Sequence, residues 1–288
     1  MKMNGIQIKH VTKQFQEITA LEDVSFNFEY GRIYGFLGRN GAGKSTLINI
    51  IANRIFADSG EVLVDGVPSR ENMKVHEKIF CMSEADLYDK DLRIRDHFKW
   101  IGRFYESFDL EKAYDIAEKF GLDTNKKFKA LSKGYQSIFK LTAALALNVP
   151  YVIFDEPVLG LDANHRELFY ELLLRDYENN ERTIIIATHL IEEVANIIEE
   201  VVLIDKGKVL LQDNVASLLE MGYSVSGLAE KVDEYCAGKN IIGCDELGNL
   251  KIAYLLGEKT PLPSGSGLTF STMNLQKLFV KLTEKGDC

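Results

Sequence analysis

Residues 38–46 read Gly38-Arg39-Asn40-Gly41-Ala42-Gly43-Lys44-Ser45-Thr46, and this stretch leaves few folds open to the chain. The G-x-x-x-x-G-K-S spacing needs glycines so that successive backbone N–H groups can turn inward around phosphate oxygens. Lys44 adds a mobile cation for the β- and γ-phosphates, and the Ser45 hydroxyl can ligate Mg2+. The apolar run at 32–37 reads as a buried strand entering this loop. Residues 45–52 continue as a helix, whose N-terminus favours an anion. Strand, phosphate-binding loop and helix in that order predict an α/β protein that binds a nucleotide with Mg2+.

The rest of the chain is read around that unit. A length of 288 residues allows one large domain, or one domain with a small appendage. Hydrophobic residues make up 46% and charged ones 27%, the balance of a globular protein with a substantial core. The formal charge of −9 offers no basic footprint, so nucleic acid is not an expected partner. The amino terminus lacks the apolar core of a signal peptide, and the longest apolar stretch, 141–154, is broken by Asn148 and Pro150. Any membrane role is therefore expected from the surface, through a partner. Cys81, Cys236, Cys244 and Cys288 form no C-x-x-C pair, and the five histidines lack metal-ligand spacing. Four free thiols and no metal beyond Mg2+ are expected, which fits a reducing cytoplasm.

Periodicity places the remaining elements. Residues 6–11 and 24–29 alternate apolar and polar like half-buried strands, and 61–66 reads as a hairpin arm turning at Asp65-Gly66. Residues of about 85–147 are helical in pattern. The continuous apolar runs at 151–154 and 183–187 are the mark of strands covered on both faces of a parallel sheet, and a strand pair follows at 200–212. Past about 217 the pattern changes to short strands, with helix candidates at 228–237 and 274–283. Asn274 would cap the second, with Leu275, Leu278, Phe279 and Leu282 on one face. The expected organisation is a nucleotide-binding domain at 1–216, carrying a helical subdomain at about 85–147, and a small α+β appendage at 217–288.

The strand at 151–154 ends in Asp155-Glu156-Pro157. Carboxyl ends of parallel strands line the ligand crevice. Asp155 is therefore expected to meet the Mg2+ held by Ser45, through water. Glu156 points differently and could deprotonate the water that attacks a γ-phosphate.

With these motifs in place the chain resembles the ATP-binding subunit of an ABC transporter, over residues 1 to about 215. Leu131-Ser132-Lys133-Gly134-Tyr135-Gln136 is similar to the family signature LSGGQ, with Lys133 and Tyr135 as departures. The resemblance implies that Ser132 and Gly134 contact ATP held by the opposite subunit, so that the working unit is a homo- or heterodimer around two ATPs. It implies that Asp162, in Gly160-Leu161-Asp162, bridges that interface, and that His189 is the switch histidine that bonds the γ-phosphate. Phe15 falls where the family stacks an aromatic on adenine. Glu84 stands at the family's glutamine position, where a carboxylate can also ligate Mg2+. Residues of about 84–108, with Trp100, Phe104 and Tyr105, correspond to the docking surface for a transmembrane permease.

The implied fold is a P-loop core with a mixed, mainly parallel sheet flanked by helices, plus an antiparallel β subdomain and a helical subdomain. The implied function is ATP hydrolysis that powers a membrane transporter from its cytoplasmic face, with ATP and Mg2+ as ligands. The signature and the appendage resemble ATPases of ABC-2-type exporters, which suggests export of a drug, a toxic peptide, a lipid or a polysaccharide. The competing readings are a soluble ABC ATPase and a nucleotide-sensing regulatory subunit, and Glu156 argues against the second.

Overall fold

In a computed structural model, which describes residues 4–83, 88–262 and 265–284, the chain folds around three sheets. The first is antiparallel and built from β1 (Ile6–Phe15), β2 (Ile18–Phe28), β4 (Ser59–Val64) and β5 (Val67–Pro68), in the order β2-β1-β4-β5. Asp65 and Gly66 both take positive φ, 52° and 78°, the two left-handed positions that a tight hairpin needs between β4 and β5. The strand expected at 24–29 is longer at its amino end, because β2 zips against β1 from Phe15↔Ile18 through Ile6↔Phe28.

The central sheet runs β10-β9-β3-β8-β7-β6. Its strands are β3 (Ile33–Leu37), β6 (Ile79–Met82), β7 (Tyr151–Asp155), β8 (Thr183–Thr188), β9 (Glu200–Asp205) and β10 (Lys208–Asn214). All neighbours are parallel except the edge pair β9–β10. Every residue of β3, β7 and β8 is buried, as the continuous apolar runs required.

One face of this sheet packs on the antiparallel sheet and α1 (Lys44–Ile51), through Phe36, Leu47, Ile51, Ile153 and Ile185. The other packs on α3 (Ile94–Phe104), α4 (Leu110–Lys119), α5 (Lys133–Leu145) and α6 (Ala163–Asn179), through Phe98, Phe139, Phe154 and Phe169. The short helix α7 (Ile191–Val194) joins this layer, while α2 (Met73–His76) packs through Val75 on the first face. Among the described residues no helix is long and apolar enough to cross a membrane.

Beyond β10 come α8 (Val215–Met221), β11 (Gly222–Leu228), α9 (Ala229–Cys236), β12 (Ile241–Leu247), β13 (Leu250–Leu256), β14 (Thr269–Thr272) and α10 (Leu275–Thr283). The strands form an antiparallel sheet, β12-β13-β11-β14. The residues at 216 and 217 both lie inside α8, a continuous helix. Asn274 caps α10, its side chain accepting from Lys277 N at 2.8 Å. Leu275 and Phe279 of α10 join the main core instead of a separate one. Cys81 and Cys236 are free thiols, whereas Cys244 is disulfide-bonded, against the expectation of four free thiols.

The order β3-β8-β7 sets three carboxyl strand ends side by side. They are the phosphate loop after Leu37, Thr188 at the end of β8, and Asp155 at the end of β7. The phosphate loop, Asp155-Glu156 and Thr188-His189 therefore meet at the carboxyl edge of the sheet.

Candidate functional site

The loop from Gly38 to Lys44 borders a cavity of about 470 Å3. Asn40, Gly41, Ala42, Gly43, Lys44, Ser45 and Thr46 line it, with Glu156 opposite. Gly43, the residue before α1, has φ 108°, and a Cβ there would lie 2.6 Å from the Ala20 carbonyl oxygen. Only glycine is compatible with both demands. No side chain caps α1, and its first turn carries no acid. The helix therefore presents its unpaired N–H groups and positive end toward the cavity.

Lys44 is only 5% exposed. Its Nζ donates to the Gly38 carbonyl at 2.6 Å and the Arg39 carbonyl at 3.3 Å, and lies 3.6 Å from Glu156 Oε1. Burial pushes the ammonium below its ordinary range, opposed by the nearby Glu156 and Asp155. A cation this desolvated gains from an incoming phosphate.

Two oxygens sit at the other side. The Ser45 hydroxyl donates to Asp155 Oδ1 at 3.3 Å, and Asp155 is buried at the end of β7. One hydroxyl and one carboxylate suit Mg2+, which takes few protein oxygens and keeps phosphate oxygens and water for the rest of its shell. Among the described residues no cluster of three or more His, Cys, Asp or Glu side chains could hold a metal by itself.

Glu156 has φ 49°, in the left-handed region. Its N–H donates to the Ala187 carbonyl at 2.9 Å, extending the β7–β8 pairing by one bond. That turn swings its carboxylate away from Asp155 and toward the loop. The carboxylate accepts from the Thr188 hydroxyl at 2.8 Å (Oε2), and His189 Nδ1 lies 2.9 Å from Oε1. A carboxylate only accepts, so this second contact puts the proton on Nδ1.

The site thus brings together Gly38, the loop residues, Lys44, Ser45, Asp155, Glu156 and His189. Other expected residues lie elsewhere. Phe15 is 45% exposed at the β1–β2 turn, with Lys13 Nζ 5.3 Å from its ring centroid. Ile18, Thr19 and Ala20 of β2 line the cavity, and Phe15 does not. Ser132 caps α5, its hydroxyl accepting from Tyr135 N at 3.3 Å. Gly134 lies beside Gly160, whose carbonyl oxygen would be 3.0 Å from any Cβ at 134. Asp162 caps α6, accepting from His165 N at 3.0 Å and facing His165 Nδ1 at 2.8 Å. None of Ser132, Gly134 and Asp162 lines the phosphate-loop cavity. Glu84 lies outside the described residues.

Thr188 was not singled out from the sequence, because a threonine closing an apolar strand reads as β-propensity. The available signal was a hydroxyl at the carboxyl end of a strand next to the one that ends in Asp155-Glu156. Lys206, which also lines the cavity, follows β9 in a Lys206-Gly207 turn and gave no signal beyond the turn itself.

The family described as "ABC transporter" matches residues 21–159. The chain is 32% identical to the ABC transporter ATP-binding protein YtrB of Bacillus subtilis, over 66% of this chain and 65% of that protein. It is also 32% identical to an uncharacterized ABC transporter ATP-binding protein of Methanocaldococcus jannaschii, over 70% and 75%. The Nod factor export ATP-binding protein I of Burkholderia lata is 28% identical, over 76% and 74%. Among solved structures, a dimeric ATP-binding cassette in a post-hydrolysis state, bound to ADP and Pi, superposes with a TM-score of 0.66 at 25% identity. That match covers 73% of this chain and 98% of that one. The matched region contains the phosphate loop and the Asp155-Glu156 strand end whose geometry is given above. The chain belongs to the ATP-binding subunits of ABC transporters and is an ATPase of that family.

Proposed function

We propose that this chain is the energising subunit of an exporter, working as a pair of copies or with a similar ATPase, bound to a transmembrane permease at the cytoplasmic face of a membrane. The observation that carries the reading is Glu156, whose carboxylate faces Lys44 and His189 at the mouth of the phosphate loop. It stands where a base is needed, beside the cation that would hold the γ-phosphate.

The loop N–H groups and Lys44 hold the phosphates of ATP, and Ser45 with Asp155 would hold Mg2+. Mg2+ held there would neutralise phosphate charge during the transfer. Glu156 accepts a proton from water as the water oxygen bonds to the γ-phosphorus. The bond from the γ-phosphorus to the bridging oxygen breaks, its electron pair passes to the β-phosphate, and ADP and Pi result. His189 orients the γ-phosphate and the attacking water. Ser132 and Gly134 of one copy complete the site of the other, with Asp162 at the seam. Their absence from the cavity of their own chain supports this arrangement. Phosphate contacts from both copies are what give ATP its preference for the closed pair.

Permease docking at about 84–108 is supported by α3, where Trp100 (47% exposed) and Phe104 (76%) stack in solvent with Arg103 over the Trp100 ring. A cavity of about 290 Å3, lined by Arg54, Phe80, Tyr88 and Tyr105 among others, opens nearby. Export is supported by the relative whose name states it. A division at 216/217 into an ATPase domain and an accessory unit stays part of this proposal. The test is ATP turnover by Glu156→Gln, which keeps size and hydrogen bonding but not the basic charge. Loss of turnover with retained ATP binding is expected, and turnover at the normal rate removes Glu156 as the base.

A further inference from the structure

We propose that Thr188 is the positioning residue for Glu156, holding the base in place once nucleotide has drawn Lys44 and His189 away from it. This inference rests on the reading of Glu156 given above.

The two oxygens of Glu156 have different company. Oε1 faces Lys44 Nζ at 3.6 Å and His189 Nδ1 at 2.9 Å. Oε2 accepts from the Thr188 hydroxyl at 2.8 Å. Lys44 and His189 are groups that an incoming γ-phosphate attracts, since it offers them more negative charge than one carboxylate does. In the arrangement seen, both restrain Oε1 of the base. With nucleotide they turn to the phosphate, and Oε1 is left open to take a proton from water.

Thr188 is differently placed. It is fully buried at the end of β8 and does not line the phosphate-loop cavity. Its Oγ1 accepts from Leu190 N at 3.0 Å, and its single proton goes to Glu156 Oε2. The preceding residue, Ala187, holds the Glu156 backbone through its carbonyl. Two consecutive residues of a buried strand thus fix both ends of Glu156. This anchor is built into the sheet and needs no ligand. It matters because Glu156 occupies a left-handed backbone position just past its strand, where nothing in β7 itself directs the side chain.

The test compares Thr188→Val, which keeps shape but removes the hydroxyl, with Thr188→Ser, which restores it. A misplaced base costs on the order of 10- to 100-fold in kcat, and that loss is expected for Thr188→Val. KM, and the ATP Kd from equilibrium dialysis, should stay within about 2-fold, because no phosphate contact is lost. Thr188→Ser should recover most of the rate. In a Glu156→Gln background, Thr188→Val should cause no further loss, since a residue acting through Glu156 has nothing left to act on. Wild-type kcat in Thr188→Val overturns the inference. So does a parallel fall in ATP affinity, a failed rescue by serine, or an equal second loss in the double variant. Normal turnover by Glu156→Gln alone overturns instead the reading of Glu156 beneath it.

Discussion

Asp176 of α6 is the hub of a buried charge cluster that ties the helical layer to the central sheet. Arg182, at the amino end of β8 and 2% exposed, pairs with Asp176 Oδ2, and Lys112 of α4 donates to Oδ1 at 2.5 Å. Arg182 also donates to the Leu147 carbonyl at 2.7 Å. Burial pulls its guanidinium down to about 10, which leaves it charged at neutral pH. Asp176→Asn removes the carboxylate that faces both cations and leaves buried Arg182 without it, beside Lys112. Breaking a buried pair in this way costs about 3–5 kcal/mol. For 288 residues the unfolding entropy is roughly 0.6 kcal/mol per degree, so the midpoint should fall by about 5–8 °C.

Arg182→Met should cost less, about 1–2 kcal/mol, because Asp176 then keeps Lys112, whose side chain is partly exposed. The double variant should be milder than the sum of the two, having no buried orphan charge. Differential scanning calorimetry of the three variants measures all of this. An Asp176→Asn shift no larger than that of Arg182→Met, or strict additivity, would refute the carboxylate as the hub.

Two further outcomes follow from the geometry. Lys44→Ala removes a charge-assisted contact to phosphate worth about 1.5–3 kcal/mol, so ATP affinity should fall by roughly 10- to 100-fold. Undiminished binding of ATP in equilibrium dialysis would mean that the phosphate loop is not the site. Phe279→Ala should cost about 3–5 kcal/mol and lower the main unfolding transition, because this ring of α10 packs into the main core. A change confined to a separate transition of the β11–β14 sheet would contradict that packing.

What could be read in advance was whatever depends on local pattern. The Ile-Ile-Ile of β8 and the Val-Ile-Phe of β7 are too apolar to face water on either side, so a doubly covered parallel sheet followed at once. Gly43 and Lys44 carried the phosphate loop for the same reason, since their chemistry is contained in nine consecutive residues. What depends on which strand lies beside which was not readable. The Thr188–Glu156 bond joins residues 32 apart, and it exists only because β8 neighbours β7. The same holds for Phe15. It closes β1 at the hairpin, 45% exposed, and which residues of β2 reach the cavity beside it, Ile18 and Thr19, follows from the β1–β2 register. The tail beyond β10 was legible as strands and helices, but not that α10 would fold back onto the main core. Amphipathicity says that a helix has a partner, not which one.

The central claim is that this is half of a nucleotide-closed pair, with Glu156 as the residue whose chemistry reopens it. The most direct measurement is the mass of Glu156→Gln by light scattering, with Mg2+ and either ATP or ADP. The account predicts twice the chain mass of 32.5 kDa with ATP and a single chain with ADP. A single chain under both conditions, at saturating ATP, would contradict pairing between two copies. If ATP-dependent pairing with the ATPase that co-purifies with its permease were absent as well, the central claim would be contradicted.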